Sequence, residues 1–285
     1  MPFPLYIIGM ITKGQQVIRD WYKQKNWEQF AFQREMESAY LGGFSGLLNA
    51  PTGSGKTFAL FFPFLADFIN KHPDTYTTQT NNGLLMLWIT PLRALTNDIK
   101  KAMQEVCDEL GLPWRIMTRT GDTSAADKAA LKRKLPEVLL TTPESLHLML
   151  AQKEYPKLFS SLQVVVIDEW HELLGTKRGV QVELGLSKLK AVSSEWLMGN
   201  SKKEAVGLQQ RSTTHSLLTT HHSPLKIWGI SATIGNLEQA AEVLLGNDFP
   251  PDKIRMVRAN LSKKLLIKSI IPDNIENYSW AGHIG

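Results

Sequence analysis

One cysteine in 285 residues, Cys107, leaves no partner for a disulfide within the chain and no Cys cluster for a metal ion. That usage fits a reducing compartment. No stretch approaches the roughly 18 consecutive apolar residues of a membrane-spanning helix. The longest candidate, residues 58–66, runs straight into Asp67. The opening MPFPLYIIGMI has no Lys or Arg ahead of its apolar run, so it does not read as a signal peptide. Neither sign of charge dominates: 32 basic side chains stand against 27 acidic ones, a net +5 that permits a polyanionic partner without requiring one. No internal repeat is visible. Together these absences predict a cytoplasmic protein with no membrane attachment.

What is present is ordinary globular composition, 43% hydrophobic and 21% charged, in a chain long enough to bury a large core without a disulfide or metal. Short apolar runs at residues 46–49, 84–89, 114–118, 138–141, 164–167 and 225–230 are too short for helices and rich in Leu, Val and Ile. Between them, residues 56–70, 92–110, 124–135, 144–152, 180–192 and 237–245 show capping residues and apolar positions at i, i+3 and i+4. This alternation predicts an α/β fold, a mostly parallel sheet flanked by helices on both faces. The runs are continuously apolar, as strands buried on both sides must be. Residues 71–82 read as a polar surface loop and 193–224, rich in Ser, Thr, Gln and His, as a polar insertion. Two further strand-like segments, IRMVR and KKLLIKSII, fall within 251–272.

The run Ala50-Pro51-Thr52-Gly53-Ser54-Gly55-Lys56-Thr57 follows a predicted strand and opens a predicted helix, the setting of a Walker A phosphate loop. The glycines let backbone N–H groups turn inward around phosphate oxygens, and the helix N-terminus adds its partial positive charge. Lys56 can reach the β- and γ-phosphates of ATP, and the Thr57 hydroxyl can sit on Mg²⁺. The general pattern begins with Gly; here Ala50 holds that place.

The strand VVVI ends in Asp168-Glu169-Trp170-His171. Ligands of open α/β sheets bind beyond the carboxyl ends of the strands. There Asp168 can hold Mg²⁺, partly through water, and Glu169 can polarise an attacking water. The same two residues would also suit the acidic first turn of a helix.

Taken together, the motifs resemble those of a superfamily 2 helicase. APTGSGKT is similar to motif I, TPLRAL (90–95) to motif Ia, TTPESL (141–146) to motif Ib, DEWH (168–171) to motif II and SAT (231–233) to motif III, in the family's order. The wording DEWHELL, RTGDTS, SATIGN and WAGHIG is similar to Lhr-type helicases, in particular the ligase-associated DExH-box branch implicated in DNA repair. The resemblance implies a RecA-like P-loop NTPase domain over 1–272, with 273–285 beginning a linker to a second RecA-like domain. It implies an ATP-dependent DNA helicase or translocase, with ATP and Mg²⁺ as cofactors. Thr52, Gly53, Ser54, Gly55, Lys56 and Thr57 would hold the nucleotide and Gln33 would read the adenine edge. An amide can pair with both an amine and a ring nitrogen, although a helical Gln can equally be an exposed one. Arg93, Arg119, Thr120, Gly121 and Thr142 would line a nucleic-acid strand, although Arg and Thr before helices are also common caps. His171, Ser231 and Thr233 would couple nucleotide to strand; a capping role is open for His171.

The implied partners are single-stranded or tailed DNA, with RNA as the alternative, the second RecA-like domain, and a DNA ligase or nuclease. No QxxGRxGR-like segment supplies transition-state arginines, so the chain itself is expected to hydrolyse ATP weakly. Two other readings share the phosphate loop: an NTPase switch unrelated to nucleic acid, and a non-catalytic nucleotide-binding module.

Overall fold

The computed structural model describes residues 11–207, 225–247 and 249–261. Two helices, α1 (Lys13–Gln24) and α2 (Ala31–Leu41), precede any strand. The Thr12 hydroxyl accepts from the Gln15 N–H, and the Gln15 side chain reaches back to the Thr12 backbone, a reciprocal cap that starts α1. Strands and helices then alternate: β1 (Ser45–Asn49), α3 (Lys56–Lys71), β2 (Met86–Ile89), α4 (Arg93–Glu109), β3 (Ile116–Arg119), α5 (Ala125–Arg133), β4 (Val138–Thr141), α6 (Pro143–Leu150) and α7 (Tyr155–Leu158). They continue with β5 (Val164–Ile167), α8 (Trp170–Leu173), α9 (Lys177–Gly207), β6 (Lys226–Ser231), α10 (Leu237–Leu245) and β7 (Ile254–Arg258).

The strands form one seven-stranded sheet in the order β3-β4-β2-β5-β6-β1-β7, and every neighbouring pair is parallel. Successive side chains point to opposite faces, and each face has its own core. Leu48, Trp88, Leu140, Val166 and Trp228 face a core closed by α1 to α4. Leu47, Leu87, Leu139, Val165 and Ile227 face a second core closed by α6 and α8 to α10. All four residues of β5 have no exposed surface, which explains why its sequence is apolar without alternation.

The predicted strands are all present with ends within two residues of those expected, and IRMVR forms β7. The segment KKLLIKSII lies outside the described residues. Two features differ from expectation. The helices α1 and α2 were not anticipated. They pack Ile18, Trp21, Tyr22, Met36 and Tyr40 against the α3 residues that follow the phosphate loop. The helix expected over 180–192 begins at Lys177 and continues to Gly207, so the first half of the expected polar insertion is helical. Its Ser, Gly and Asn residues signal a loop, but propagating an existing helix is far easier than nucleating one, and Glu, Leu, Met, Lys and Ala support it. Residues 208–224 lie outside the described residues.

Candidate nucleotide and nucleic-acid site

Parallel strands all point their carboxyl ends to one edge, so the loops after β1, β5 and β6 meet there. After β1 the chain turns through Gly53 (φ 75°) and Gly55 (φ 82°), left-handed conformations that favour glycine. Gly55 is the N-cap of α3 and offers no side-chain cap, so the first N–H groups of α3 are left for a ligand. Ser54 folds back on the loop, its hydroxyl donating to the Pro51 carbonyl at 2.7 Å. Thr57 is half-buried in the first turn of α3.

The strand β5 delivers Asp168 and Glu169 to the same edge. Glu169 adopts φ 47° and ψ 48°, the left-handed region, immediately before α8. A non-glycine residue there costs on the order of 1 kcal/mol and is held by its surroundings. The surroundings are specific: the Lys56 ammonium lies 3.1 Å from Glu169 Oε1, and the two side chains are 9% and 14% exposed. The Glu169 N–H donates to Asp168 Oδ1 at 3.0 Å. Burial and the neighbouring Glu169 charge raise the Asp168 pKa to about 6, against the pull of Lys56 and the Glu169 backbone N–H. Directly beneath, the fully buried Trp170 indole donates to the Ala240 carbonyl at 3.0 Å and anchors α8 to α10.

The third loop follows β6. The hydroxyl of the fully buried Ser231 and His171 Nδ1 are 3.1 Å apart, and the same nitrogen is 3.5 Å from Glu169 Oε2. His171 Nε2 faces Glu172 at 3.4 Å. The structure therefore joins His171 and Ser231 in one hydrogen-bonded pair, while Thr233 is exposed in the turn beyond.

Gln33 differs from the exposed helical residue left open above: it is buried, and its amide is largely engaged. Oε1 accepts from the Phe30 N–H at 3.0 Å and the Tyr22 hydroxyl at 3.5 Å, and Nε2 donates to the Gly55 carbonyl at 3.3 Å. This ties α2 directly to the phosphate loop. Among the described residues no group of three His, Cys, Asp or Glu could hold a metal ion. A Mg²⁺ held by Asp168 and Thr57 would draw its remaining ligands from phosphate oxygens and water.

The expected nucleic-acid residues are placed unevenly. Arg93 is the first residue of α4, at the mouth of the turn after β2. Gly121 is exposed after β3, but Thr120 is buried, its hydroxyl accepting from the Asp122 N–H at 3.3 Å. Arg119 turns away from the turn: it lines an apolar recess with Leu131, Leu135 and Met149. Strand alternation explains this, because Ile116 lies in the first core and Arg119, three residues on, falls on the second face. Thr142 has no exposed surface and caps α6, its hydroxyl accepting from the Ser145 N–H at 3.4 Å. Its side chain is thus committed to the helix, as the capping alternative anticipated.

Sequence reasoning missed Arg178, in the first turn of α9. Its Nη2 donates to the Pro91 carbonyl at 3.0 Å and to Glu144 Oε2 at 3.4 Å, and its Nε lies 2.7 Å from Glu144 Oε1. The KRG it sits in carries no local signal of partners so far away in the chain.

An all-parallel sheet with a glycine-lined loop, a Lys56–Glu169 pair and a buried Asp168 on one edge defines a RecA-like P-loop domain. A DEAD/DEAH box helicase family model matches residues 30–240, and the chain belongs to that family. It is 28% identical over 268 residues to the ATP-dependent helicase Lhr-Core of Methanocaldococcus jannaschii, covering 90% of this chain and 28% of that protein. It is 31% identical over 239 residues to the Lhr-Core helicase of Sulfolobus acidocaldarius, covering 82% of this chain and 24% of that protein. Among solved structures it is similar to the Mycobacterium smegmatis helicase Lhr bound to ssDNA and AMP-PNP. That match has a TM-score of 0.62 and 27% identity over 88% of this chain and 28% of the other. The chain is thus a DEAD/DEAH box helicase domain similar to the Lhr-type helicases, and it spans about a quarter of the length of these relatives.

Proposed function

We propose that this chain is the ATP-binding half of a superfamily 2 DNA helicase or translocase, with DNA repair as its setting. The observation that carries the reading is the meeting of Lys56, Asp168, Glu169 and the His171–Ser231 pair at one sheet edge, beside the turns after β2 and β4. The names of the Lhr-Core relatives support ATP use, and the ssDNA in the mycobacterial Lhr structure supports DNA as the strand.

In this reading the phosphate loop receives the triphosphate on the free N–H groups of α3. Lys56 leaves Glu169 for the β- and γ-phosphates. Thr57 and Asp168 would hold Mg²⁺, partly through water, and the ion would supply positive charge that neutralises the phosphates. Glu169, released from Lys56, accepts a proton from the attacking water. His171 touches both Glu169 and Ser231, so a change in the Glu169 position is felt at the end of β6. Arg93, Gly121 and the N-terminus of α6 contact the sugar–phosphate backbone, which gives affinity with little sequence preference. A second RecA-like domain supplies arginines opposite the nucleotide.

The test is Mg-ATP hydrolysis and nucleotide binding by this chain, with and without single-stranded DNA. ATP binding with near-zero turnover in both conditions is the expected result. Strong turnover stimulated by DNA would show that the chain needs no second domain. No nucleotide binding would overturn the reading altogether.

A further inference from the structure

The turns after β2 and β4, where TPLRAL and TTPESL begin their helices, are joined at their base by the Thr90 N–H, which donates to the Thr141 carbonyl at 2.9 Å. The side chain that spans them comes from a third element. Arg178 holds the Pro91 carbonyl of the first turn at 3.0 Å. Its other contacts, 2.7 Å and 3.4 Å, are with Glu144 in the first turn of α6. A planar guanidinium can serve two acceptors in fixed geometry, which a lysine ammonium cannot do in the same way.

Arg178 is itself fixed to motif II. The Thr176 hydroxyl donates to the Leu173 carbonyl at 2.7 Å and accepts from the Gly179 N–H at 3.1 Å, joining α8 to α9. A methyl group on Gly179 would lie 2.1 Å from the same Leu173 carbonyl, so the two helices meet with no spare room. The path from Glu169 to the two turns is therefore short and continuous: Glu169 opens α8, α8 abuts α9, and the first turn of α9 carries Arg178.

We propose that Arg178 is a positioning residue that sets the spacing of the two strand-binding turns and ties that spacing to the motif II helix. The inference rests on the nucleic-acid reading given above. It assigns Arg178 no contact with the strand. The residue acts by placing Arg93 and the start of α6, and it keeps the Glu144 carboxylate paired rather than facing phosphate.

The experiment measures affinity for a labelled oligothymidylate by fluorescence anisotropy, and affinity for a fluorescent ATP analogue without DNA, in the 285-residue chain. Arg178→Ala is expected to weaken DNA binding by roughly three- to tenfold, the scale on which such linking residues act. Nucleotide affinity without DNA stays unchanged, which also shows that the variant folds. Arg178→Lys, which keeps the charge but not the fork, loses most of the same affinity. Arg93→Ala, costly in the native background, costs little more once Arg178 is gone, because Arg93 is then already misplaced. Native-like binding by Arg178→Ala or Arg178→Lys would overturn the proposal, as would fully additive losses for Arg93 and Arg178, the mark of two independent phosphate contacts. If the native chain binds no DNA, the proposed function falls and this inference falls with it.

Discussion

Lys56 and Glu169, 113 positions apart in the sequence, form an ion pair of 3.1 Å at the centre of the proposed nucleotide site. In the proposed reading, the cation that would bind phosphate and the carboxylate that would polarise water neutralise each other until a triphosphate competes for the lysine. Glu169→Gln removes the base and loosens its hold on Lys56 together. With a second RecA-like domain supplied, Mg-ATP turnover is expected to fall by about two to three orders of magnitude, with nucleotide affinity equal or higher. Phosphate release and a fluorescent-nucleotide titration read the two effects separately. Unaltered turnover would remove Glu169 from the chemistry.

Asp168 gives the site a pH signature. Its pKa rises from 3.8 to about 6 on folding, so the folded state holds the proton more tightly than the unfolded chain. The contribution to stability is therefore fully present below pH 3.8 and is lost as pH rises through about 6. Asp168→Asn, measured in EDTA, is expected to raise stability at pH 7.5 by on the order of 2 kcal/mol, a few degrees in Tm. The advantage shrinks as the pH is lowered toward 4. Adding Mg-ATP should stabilise the native chain and leave the variant behind. Equal melting of both proteins across the whole pH range would contradict this account.

The Trp170 indole joins the motif II helix to α10 through the Ala240 carbonyl at 3.0 Å, with no exposed surface. Trp170→Ala opens a large cavity and is expected to cost about 3–5 kcal/mol. Trp170→Phe fills most of the space but leaves the carbonyl unpaired, at about 1–3 kcal/mol. Chemical denaturation of the two variants gives the comparison, and a Phe variant as damaged as the Ala variant would point to the hydrogen bond rather than to the filled space.

Gly55 is constrained twice. Its φ of 82° disfavours any side chain, and an added Cβ would lie 2.9 Å from Gln33 Nε2. Gly55→Ala is expected to destabilise the chain by about 1–2 kcal/mol and to weaken nucleotide binding more than that loss alone requires, since the loop N–H groups are re-aimed. A titration showing native affinity would mean that the loop tolerates the turn in another conformation.

Much of this architecture is legible in the chain because its signals are local. A strand buried on both faces must be apolar at every position, so VVVI and LLMLWI announce themselves, and the phosphate loop is contiguous from Ala50 to Thr57. The partners of those residues are not local. Arg178 meets Glu144 across 34 positions and Gln33 meets Gly55 across 22, and no spacing rule connects them. Arg119 and Thr142 show a related difficulty. Residue type and a place near a turn suggested surface contacts, but strand alternation turned one inward and a helix cap took the hydroxyl of the other. Helix α9 ran past its expected end because propagation depends on the helix already formed, which local composition does not display.

Were Gln33 to read the base, as the resemblance implies, its engagement would bear on which bases the site prefers. Both lone pairs of Oε1 are occupied, by the Phe30 N–H and the Tyr22 hydroxyl, and one N–H of Nε2 serves Gly55, leaving a single donor. One donor satisfies the N7 acceptor, which adenine and guanine share. Telling the two purines apart requires an acceptor as well, and Oε1 becomes one only by releasing the amide at the start of α2. In that role, base selectivity and the integrity of that helix end would be set against each other in one side chain, and GTP is expected to compete with ATP more effectively than a fully free glutamine would allow.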